Sequence, residues 1–170
     1  MNIITPVSST QKDVLGYLKH FHPGITFIHG KAGCGKTHLI KQIEARNPGC
    51  QVVVPTNLAA SLYRRARTIH SLFHAGFDNV EEGIQNPLNI TPAKASAMAI
   101  KLSGISMLVV DEISMVRADT FEMMHRLCQA ARENNLPFGG LQVVVVGDLF
   151  QLPPVVSDEA IHNYQINDYG

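Results

Sequence analysis

Short apolar runs alternate with amphipathic stretches along this chain, and the alternation is the first evidence of its fold. Each apolar run has the length of one strand, whereas the stretches between the runs are long enough for helices. The run Gln51–Val54 carries consecutive valines rather than alternating polar residues, which predicts a strand covered on both faces. The predicted strands are Ile25–Ile28, Gln51–Val54, Met107–Val110 and Leu141–Val146.

Helical spacing or helix-start signals mark the stretches between these runs. Thr91-Pro92, for example, places proline at a first helical position, and Ser8-Ser9-Thr10 can cap the helix that follows it. Strands separated by helices imply right-handed crossovers, so the pattern predicts an α/β fold with a doubly wound parallel sheet and flanking helices. The predicted helices lie within 8–20, over 38–43, over Leu58–Arg65, from Thr91 to near Gly104, and from about Arg117 to Arg132.

The composition is that of one globular domain. The chain has 170 residues, of which 45 % are hydrophobic, enough for a core. It has no run of about 18 apolar residues and no secretory layout at its N-terminus, so we expect an intracellular protein with no membrane partner. The three cysteines are odd in number and not paired in spacing, which predicts reduced thiols.

Charge gives a weaker signal. Lysine plus arginine and aspartate plus glutamate number 14 each, so no global positive field attracts nucleic acid. Positive charge concentrates in the cluster Arg64-Arg65-Ala66-Arg67, where charge alone favours a solvated helix face. His70 and His74 have the spacing of metal ligands on a helix, but no third ligand is apparent and no metal site is predicted there.

The stretch Gly30 to Thr37 reads GKAGCGKT and lies between the first predicted strand and a helix. It matches GxxxxGK[ST], in which glycines let the backbone curl so that its N–H groups surround a phosphate. Lys36 is placed to reach the β- and γ-phosphates of ATP, and Thr37 to ligate Mg²⁺. The alternative is a glycine-rich turn that binds nothing. The predicted nucleotide contacts along this stretch are Gly30, Ala32, Gly33, Cys34, Gly35, Lys36, Thr37 and His38.

Polar residues also follow the later strands, at the edge where ligands of open α/β sheets collect. Asp111 would hold Mg²⁺, and Glu112 would orient a water for in-line attack on the γ-phosphorus. Gln151 could hydrogen-bond the γ-phosphate or that water. Taken alone, the acidic pair Asp111-Glu112 would indicate only that the strand reaches the surface, and Gln151 would be an ordinary polar loop residue. Downstream of a phosphate loop, hydrolysis with Lys36, Glu112 and Gln151 as catalytic residues is the better interpretation.

Several motifs carry a resemblance to a known family. They are GKAGCGKT at 30–37, PTNLAA at 55–60, TIHSLF at 68–73, LVVDEISM at 108–115 and PFGGLQVVVVGDLFQLPPV at 137–155. Over residues 8–156 the chain resembles superfamily 1 DNA helicases of the Pif/RecD branch, in particular the Pif type. The resemblance implies the first RecA-like domain of a helicase, a P-loop NTPase that uses ATP and Mg²⁺.

The resemblance also implies roles for individual residues. Gln11 is similar to the glutamine that reads adenine. A further set resembles positions along the path of single-stranded DNA, although Arg67 stands where such helicases often carry glycine. The implied DNA-binding residues are Thr56, Asn57, Arg67, His70 and Ser71.

The domain organisation is likewise implied by the resemblance. Residues 1–156 would form the first RecA-like domain with a short strand-separating wedge at 76–90, and 157–170 would begin the connection to a second RecA-like domain that supplies an arginine finger. The chain by itself is therefore expected to be a monomer, weakly active, with weak affinity for single-stranded DNA. The implied direction of movement along single-stranded DNA is 5′ to 3′. The implied location is the cytoplasm in a prokaryotic or viral system, and the nucleus or mitochondrion in a eukaryote.

Two alternatives from other classes stay open at this point. A small-molecule kinase also has a phosphate loop on a parallel sheet, but it needs an acceptor pocket and a lid that carries arginines. A module that binds nucleotide or DNA without hydrolysis would not need Glu112. Phosphate release without an acceptor would distinguish an ATP hydrolase from a kinase. An effect of Glu112→Gln on nucleotide turnover would distinguish a hydrolase from a module that only binds.

Overall fold

In a computed structural model of the chain, which describes residues 10–22, 24–73, 90–148 and 150–151, the core is a single parallel sheet. Five strands pair in the order β1-β5-β4-β2-β3, and every pairing is parallel. The predicted α/β sheet is thus confirmed. The strands are β1 (Gly24–His29), β2 (Cys50–Val54), β3 (Arg67–Thr68), β4 (Met107–Val110) and β5 (Gln142–Gly147).

The helices connect these strands and cover the two faces of the sheet. Thr10 forms a capping box with Asp13 at the start of the first helix, and Thr91 caps the fifth, so both predicted start signals operate. A 3₁₀ turn, Ile113–Met115, follows β4, and a second one, Pro137–Gly140, directly precedes β5. The helices are α1 (Gln11–Leu18), α2 (Lys36–Arg46), α3 (Asn57–Ala60), α4 (Ile69–Phe73), α5 (Pro92–Leu102) and α6 (Ala118–Ala131).

The two faces of the sheet bury separate apolar clusters. On β2, Val53 packs into a cluster with side chains of α4, α5 and α6, while Val52 and Val54 pack into a second cluster with α1 and α2. Successive side chains of a strand point to opposite faces, so a strand with helices on both sides is apolar at every position. This explains the uninterrupted valines of the central strands.

Strand β1 departs from that rule because it lies at an edge of the sheet. Its burial alternates along the strand, and Ile25 and Phe27 remain 41 % and 46 % exposed. An edge strand pairs on one side only, and its outer positions are less enclosed.

One predicted element needs correction. The predicted helix Leu58–Arg65 is wrong beyond its first turn, because α3 ends at Ala60 and the chain continues as turns. The short strand β3 that follows was not predicted, whereas α4 lies where the spacing of His70 and His74 indicated a helix. Helix α3 stops because the segment after it turns inward to buried partners described below.

Some predictions concern residues outside those described. They include His74, nearly all of the proposed wedge at 76–90, and the proposed connection at 157–170. In the parts of the chain that are described, no helix is long and apolar enough to cross a membrane.

Candidate functional site

The phosphate loop joins β1 to α2 through two left-handed glycines. Gly33 and Gly35 have φ angles of 78° and 90°, which residues with a side chain rarely adopt. Helix α2 begins at Lys36 directly after this turn and runs for 11 residues. Its first N–H groups and its dipole therefore face the loop, an arrangement that favours an anion.

Lys36 is held across the loop by the loop's own backbone. Its Nζ donates hydrogen bonds to the carbonyl oxygens of Gly30 at 2.6 Å and Lys31 at 3.1 Å. Gln11 reaches the loop from α1, where its Nε2 donates to the carbonyl oxygen of Gly35 at 3.3 Å. Helix α1 and the lysine thus both attach to the phosphate loop.

The acidic pair lies at the carboxyl end of β4, and its two members have different surroundings. Asp111 is 4 % exposed and accepts a hydrogen bond from the Tyr63 hydroxyl. Burial raises the pKa of Glu112, the charge of Asp111 raises it further, and the charge of Lys36 opposes both effects. Glu112 also has a left-handed backbone with φ of 54°, a conformation that costs about 1–3 kcal/mol and is common at functional sites.

The segment after β5 is fixed by Asp148. This aspartate is 5 % exposed, and its carboxylate accepts from the Phe150 N–H at 3.1 Å and the Gln151 Nε2 at 3.4 Å. Just before it, Gly147 touches the turn that follows the acidic pair. A Cβ at Gly147 would lie 2.8 Å from the Ile113 Cγ2 and 3.2 Å from the Ile113 backbone nitrogen.

These pieces meet in one cleft of about 540 Å³, a volume typical of small-molecule sites. Lys36, Glu112 and Gln151 reach the cleft from the segments that follow β1, β4 and β5. Of the residues predicted to contact nucleotide, Gly30, Cys34 and Gln11 do not line its wall, and neither does the predicted metal ligand Asp111, which is buried. The lining residues are Ala32, Gly33, Gly35, Lys36, Thr37, His38, Lys41, Glu112 and Gln151.

A second feature is the basic turn, residues 61–66, which follows α3 and carries two exposed arginines. Its backbone is anchored by Glu44 of α2, a buried carboxylate that accepts from the Arg64 N–H at 3.3 Å and the Arg65 N–H at 2.8 Å. Gln51 of β2 donates to the Arg65 carbonyl oxygen at 2.9 Å. The two arginine side chains therefore extend to solvent from a fixed backbone.

The residues predicted to bind DNA lie outside the cleft, on the surface that continues from β2 through α4. Thr56 caps α3 by accepting from the Ala59 N–H at 3.2 Å. Arg67 donates to the Ser71 carbonyl oxygen at 3.3 Å. Thr56, Asn57, Arg67, His70 and Ser71 are all exposed. Their role in DNA binding stays a prediction.

Three residues of this region were not anticipated: Tyr63, Glu44 and Lys41. Asp148, in contrast, lies in the segment 147–151, which was expected to reach the cleft from the end of the last strand. A signal existed for Glu44, because it follows Ile40 by four positions and so falls on the apolar stripe of α2. Nothing in the spacing of Tyr63 indicates a partner 48 positions away.

Comparison with known proteins gives a consistent result over most of the chain. A sequence model of the PIF1-like helicase family matches residues 7–167. The chain is 35 % identical to the ATP-dependent DNA helicase Pif1 of Bdellovibrio bacteriovorus over 130 residues, 76 % of this chain and 29 % of that protein. It is 37 % identical to human PIF1 over 133 residues, 76 % of this chain and 20 % of that protein. The chain thus spans less than a third of the length of these curated relatives.

Solved structures resemble the fold as well. Bacteroides Pif1 in complex with ADP-AlF4 superposes with a TM-score of 0.71 at 32 % identity, over 94 % of this chain and 36 % of that one. Bacteroides Pif1 bound to single-stranded DNA gives a TM-score of 0.71 at 30 % identity, over 98 % of this chain and 38 % of that one.

Proposed function

This chain belongs to the PIF1-like helicase family, and on that premise we propose that it is the first motor domain of an ATP-dependent DNA helicase that moves 5′ to 3′ on single-stranded DNA. The observation that carries the proposal is the cleft in which Lys36, Glu112 and Gln151 converge. The relatives crystallised with ADP-AlF4 and with single-stranded DNA support the choice of ligands.

Each side chain in the cleft has a distinct task in this proposal. Lys36 exchanges its carbonyl partners for the β- and γ-phosphates and neutralises charge that develops on them. Glu112 orients the attacking water and accepts its proton, and its raised pKa makes it a better base than a solvated carboxylate. Gln151, oriented by Asp148, hydrogen-bonds the γ-phosphate and differs in its contacts before and after hydrolysis.

The donor set beside Lys36 fits Mg²⁺. Thr37 and Asp111 offer a hydroxyl and a carboxylate oxygen, which are ligands of the type that Mg²⁺ prefers. Asp111 accepts a hydrogen bond from the Tyr63 phenol, and the Thr37 side chain lies beside the same phenol, so the two candidate ligands are close together. Within the described residues no cluster of three or more His, Cys, Asp or Glu side chains could hold a metal, so water and phosphate oxygens would complete the shell. When bound, Mg²⁺ would neutralise charge on the transferred phosphoryl group.

The curated relatives are several times longer than this chain, and we propose that a second RecA-like domain completes the motor. It would contribute an arginine finger to the cleft and the other half of the DNA path. Such a finger raises the rate of hydrolysis by about 10³–10⁵.

The proposal is tested by measuring phosphate release from ATP, with and without an oligo-dT strand and with no other acceptor present. We expect slow release that requires Mg²⁺ and rises when the strand is added. Release that depends on a small-molecule acceptor would instead favour a kinase. Nucleotide binding with no release, also under single-turnover conditions, would favour a binding module.

The basic turn and the neighbouring Arg67 of β3 make a separate prediction about DNA. We expect that replacing Arg64, Arg65 and Arg67 with alanine weakens binding of oligo-dT and flattens its salt dependence. If each arginine contacts one phosphate, the slope of log K against log salt falls by about 2, since each contact contributes about 0.7 for single strands. Fluorescence anisotropy at several salt concentrations measures both quantities.

A matched control removes three other exposed positive charges, at Lys12, Lys19 and Arg46. This variant has the same net charge but keeps the basic turn, so its salt slope should stay close to that of the parent chain. Equal slopes in the two variants would show that the arginines are merely solvated.

A further inference from the structure

The contacts of Tyr63 connect the candidate metal ligands with the basic turn. The tyrosine belongs to that turn by sequence, yet its ring is 8 % exposed and packs in the apolar cluster of α1, α2 and the sheet. Its hydroxyl donates to Asp111 Oδ2, and the Thr37 side chain lies beside the same hydroxyl. One phenol oxygen thus contacts a residue of the phosphate loop helix and a residue at the end of β4.

The rest of the turn has little freedom to move independently. Directly after Tyr63, the N–H groups of Arg64 and Arg65 bind the buried Glu44 carboxylate on α2. That helix begins at Lys36 and Thr37. The backbone that carries the exposed arginines is therefore attached to the nucleotide cleft at two points, through β4 and through α2.

The hydrogen bond from the Tyr63 hydroxyl fixes one oxygen of the Asp111 carboxylate. The phenol donates to Oδ2, which leaves the other carboxylate oxygen for a metal ion. A carboxylate held by a second residue in this way binds metal in a fixed orientation.

We propose that Tyr63 is a positioning residue that orients Asp111 for Mg²⁺ and makes the basic turn sensitive to occupancy of the nucleotide cleft. This inference rests on the proposed function, because it requires that the cleft bind a metal–nucleotide complex. It extends that function by giving a physical connection between the cleft and an exposed cationic surface.

The test uses Tyr63→Phe, which keeps the buried ring and removes the hydroxyl. Affinity for Mn²⁺ as a probe of the Mg²⁺ site is measured by electron paramagnetic resonance in the presence of a non-hydrolysable ATP analogue. We expect the variant to bind Mn²⁺ about 10-fold or more weakly, the range for residues that orient metal ligands, whereas analogue affinity in EDTA stays unchanged. The control Tyr17→Phe removes a hydroxyl from the more exposed tyrosine on α1 and should match the parent.

The second readout is the ratio of oligo-dT affinities with and without the metal–analogue complex. In the parent chain this ratio should differ from one, and in Tyr63→Phe it should move towards one. Coupling between two binding sites requires a structural element whose state depends on both ligands, and the variant removes the hydroxyl that connects the cleft with the turn. Glu44→Gln, which loosens the turn from α2 without touching Asp111, should keep the parent affinity for Mn²⁺ and lose part of the coupling. This variant tests the inference even if Tyr63→Phe folds poorly.

The outcomes separate the two proposals. A parent chain that binds no analogue with Mn²⁺ overturns the proposed function and this inference together. A parent chain that binds the complex, with Tyr63→Phe identical to it in Mn²⁺ affinity and in the ratio, overturns the role of Tyr63 alone. An unchanged ratio in folded Glu44→Gln overturns the transmission to the basic turn.

Discussion

Replacing Lys36 with alanine is expected to weaken ATP binding by about 100-fold or more while the fold is retained. The ammonium lies across the phosphate loop, where it donates to two loop carbonyl oxygens, and the residue lines the cleft. A charge-assisted hydrogen bond contributes about 1.5–3 kcal/mol, and about 1.4 kcal/mol corresponds to a factor of ten in affinity. Titration with a fluorescent ATP analogue measures the loss.

The fold should survive this change, because alanine is a good helix former at the start of α2. The control Arg46→Ala removes one positive charge from the other end of the same helix and should leave analogue affinity close to that of the parent. Unchanged titration by Lys36→Ala, with a circular dichroism spectrum like the parent's, would falsify the assignment of the phosphate site.

Replacing Glu112 with glutamine should lower the rate of hydrolysis by about 10²–10⁴, the usual contribution of a general base, while ATP stays bound. Glutamine has the same length and can still hydrogen-bond a water, but it cannot accept its proton. Glu112 lines the cleft and is not among the fully buried residues, so the substitution should perturb packing little. Single-turnover measurement with acid quenching separates the chemical step from product release.

The matched control is Glu122→Gln on α6, where the carboxylate forms an exposed ion pair with Arg126 four residues later. Loss of such a pair costs a few tenths of a kcal/mol of stability at about room temperature and should not change hydrolysis. If Glu112→Gln hydrolyses ATP as fast as this control, the residue is not the base and the acidic pair has another role.

The layout of the sheet and the phosphate site could be predicted because their signals are local. Consecutive valines mark strands covered on two faces, and glycines with left-handed backbone mark the loop before Lys36. The position of β1 at the edge could not be predicted in this way. A strand's neighbours are set by pairing between distant segments, and a four-residue apolar run is similar in an edge strand and a central one.

The contacts that anchor the basic turn were also beyond sequence patterns. The helix-start signal Thr56-Asn57 predicts a helix over Leu58–Arg65. In the structure, helix α3 ends early because Tyr63 turns inward to Asp111 and Glu44 binds the two following N–H groups. Hydrogen bonds to buried carboxylates outweigh the modest differences in helix propensity over one turn.

Gly147 ties the acidic pair to the glutamine that follows β5. Its missing side chain lets β5 press directly against the turn at Ile113, closer than any Cβ would allow. The end of β5 is therefore in direct contact with the turn that follows Glu112, and in the proposed mechanism a shift of Gln151 would be transmitted to that carboxylate. An added methyl group at Gly147 would press on Ile113, so in the proposed mechanism it would change how the two sides of the cleft move together although it contacts no ligand.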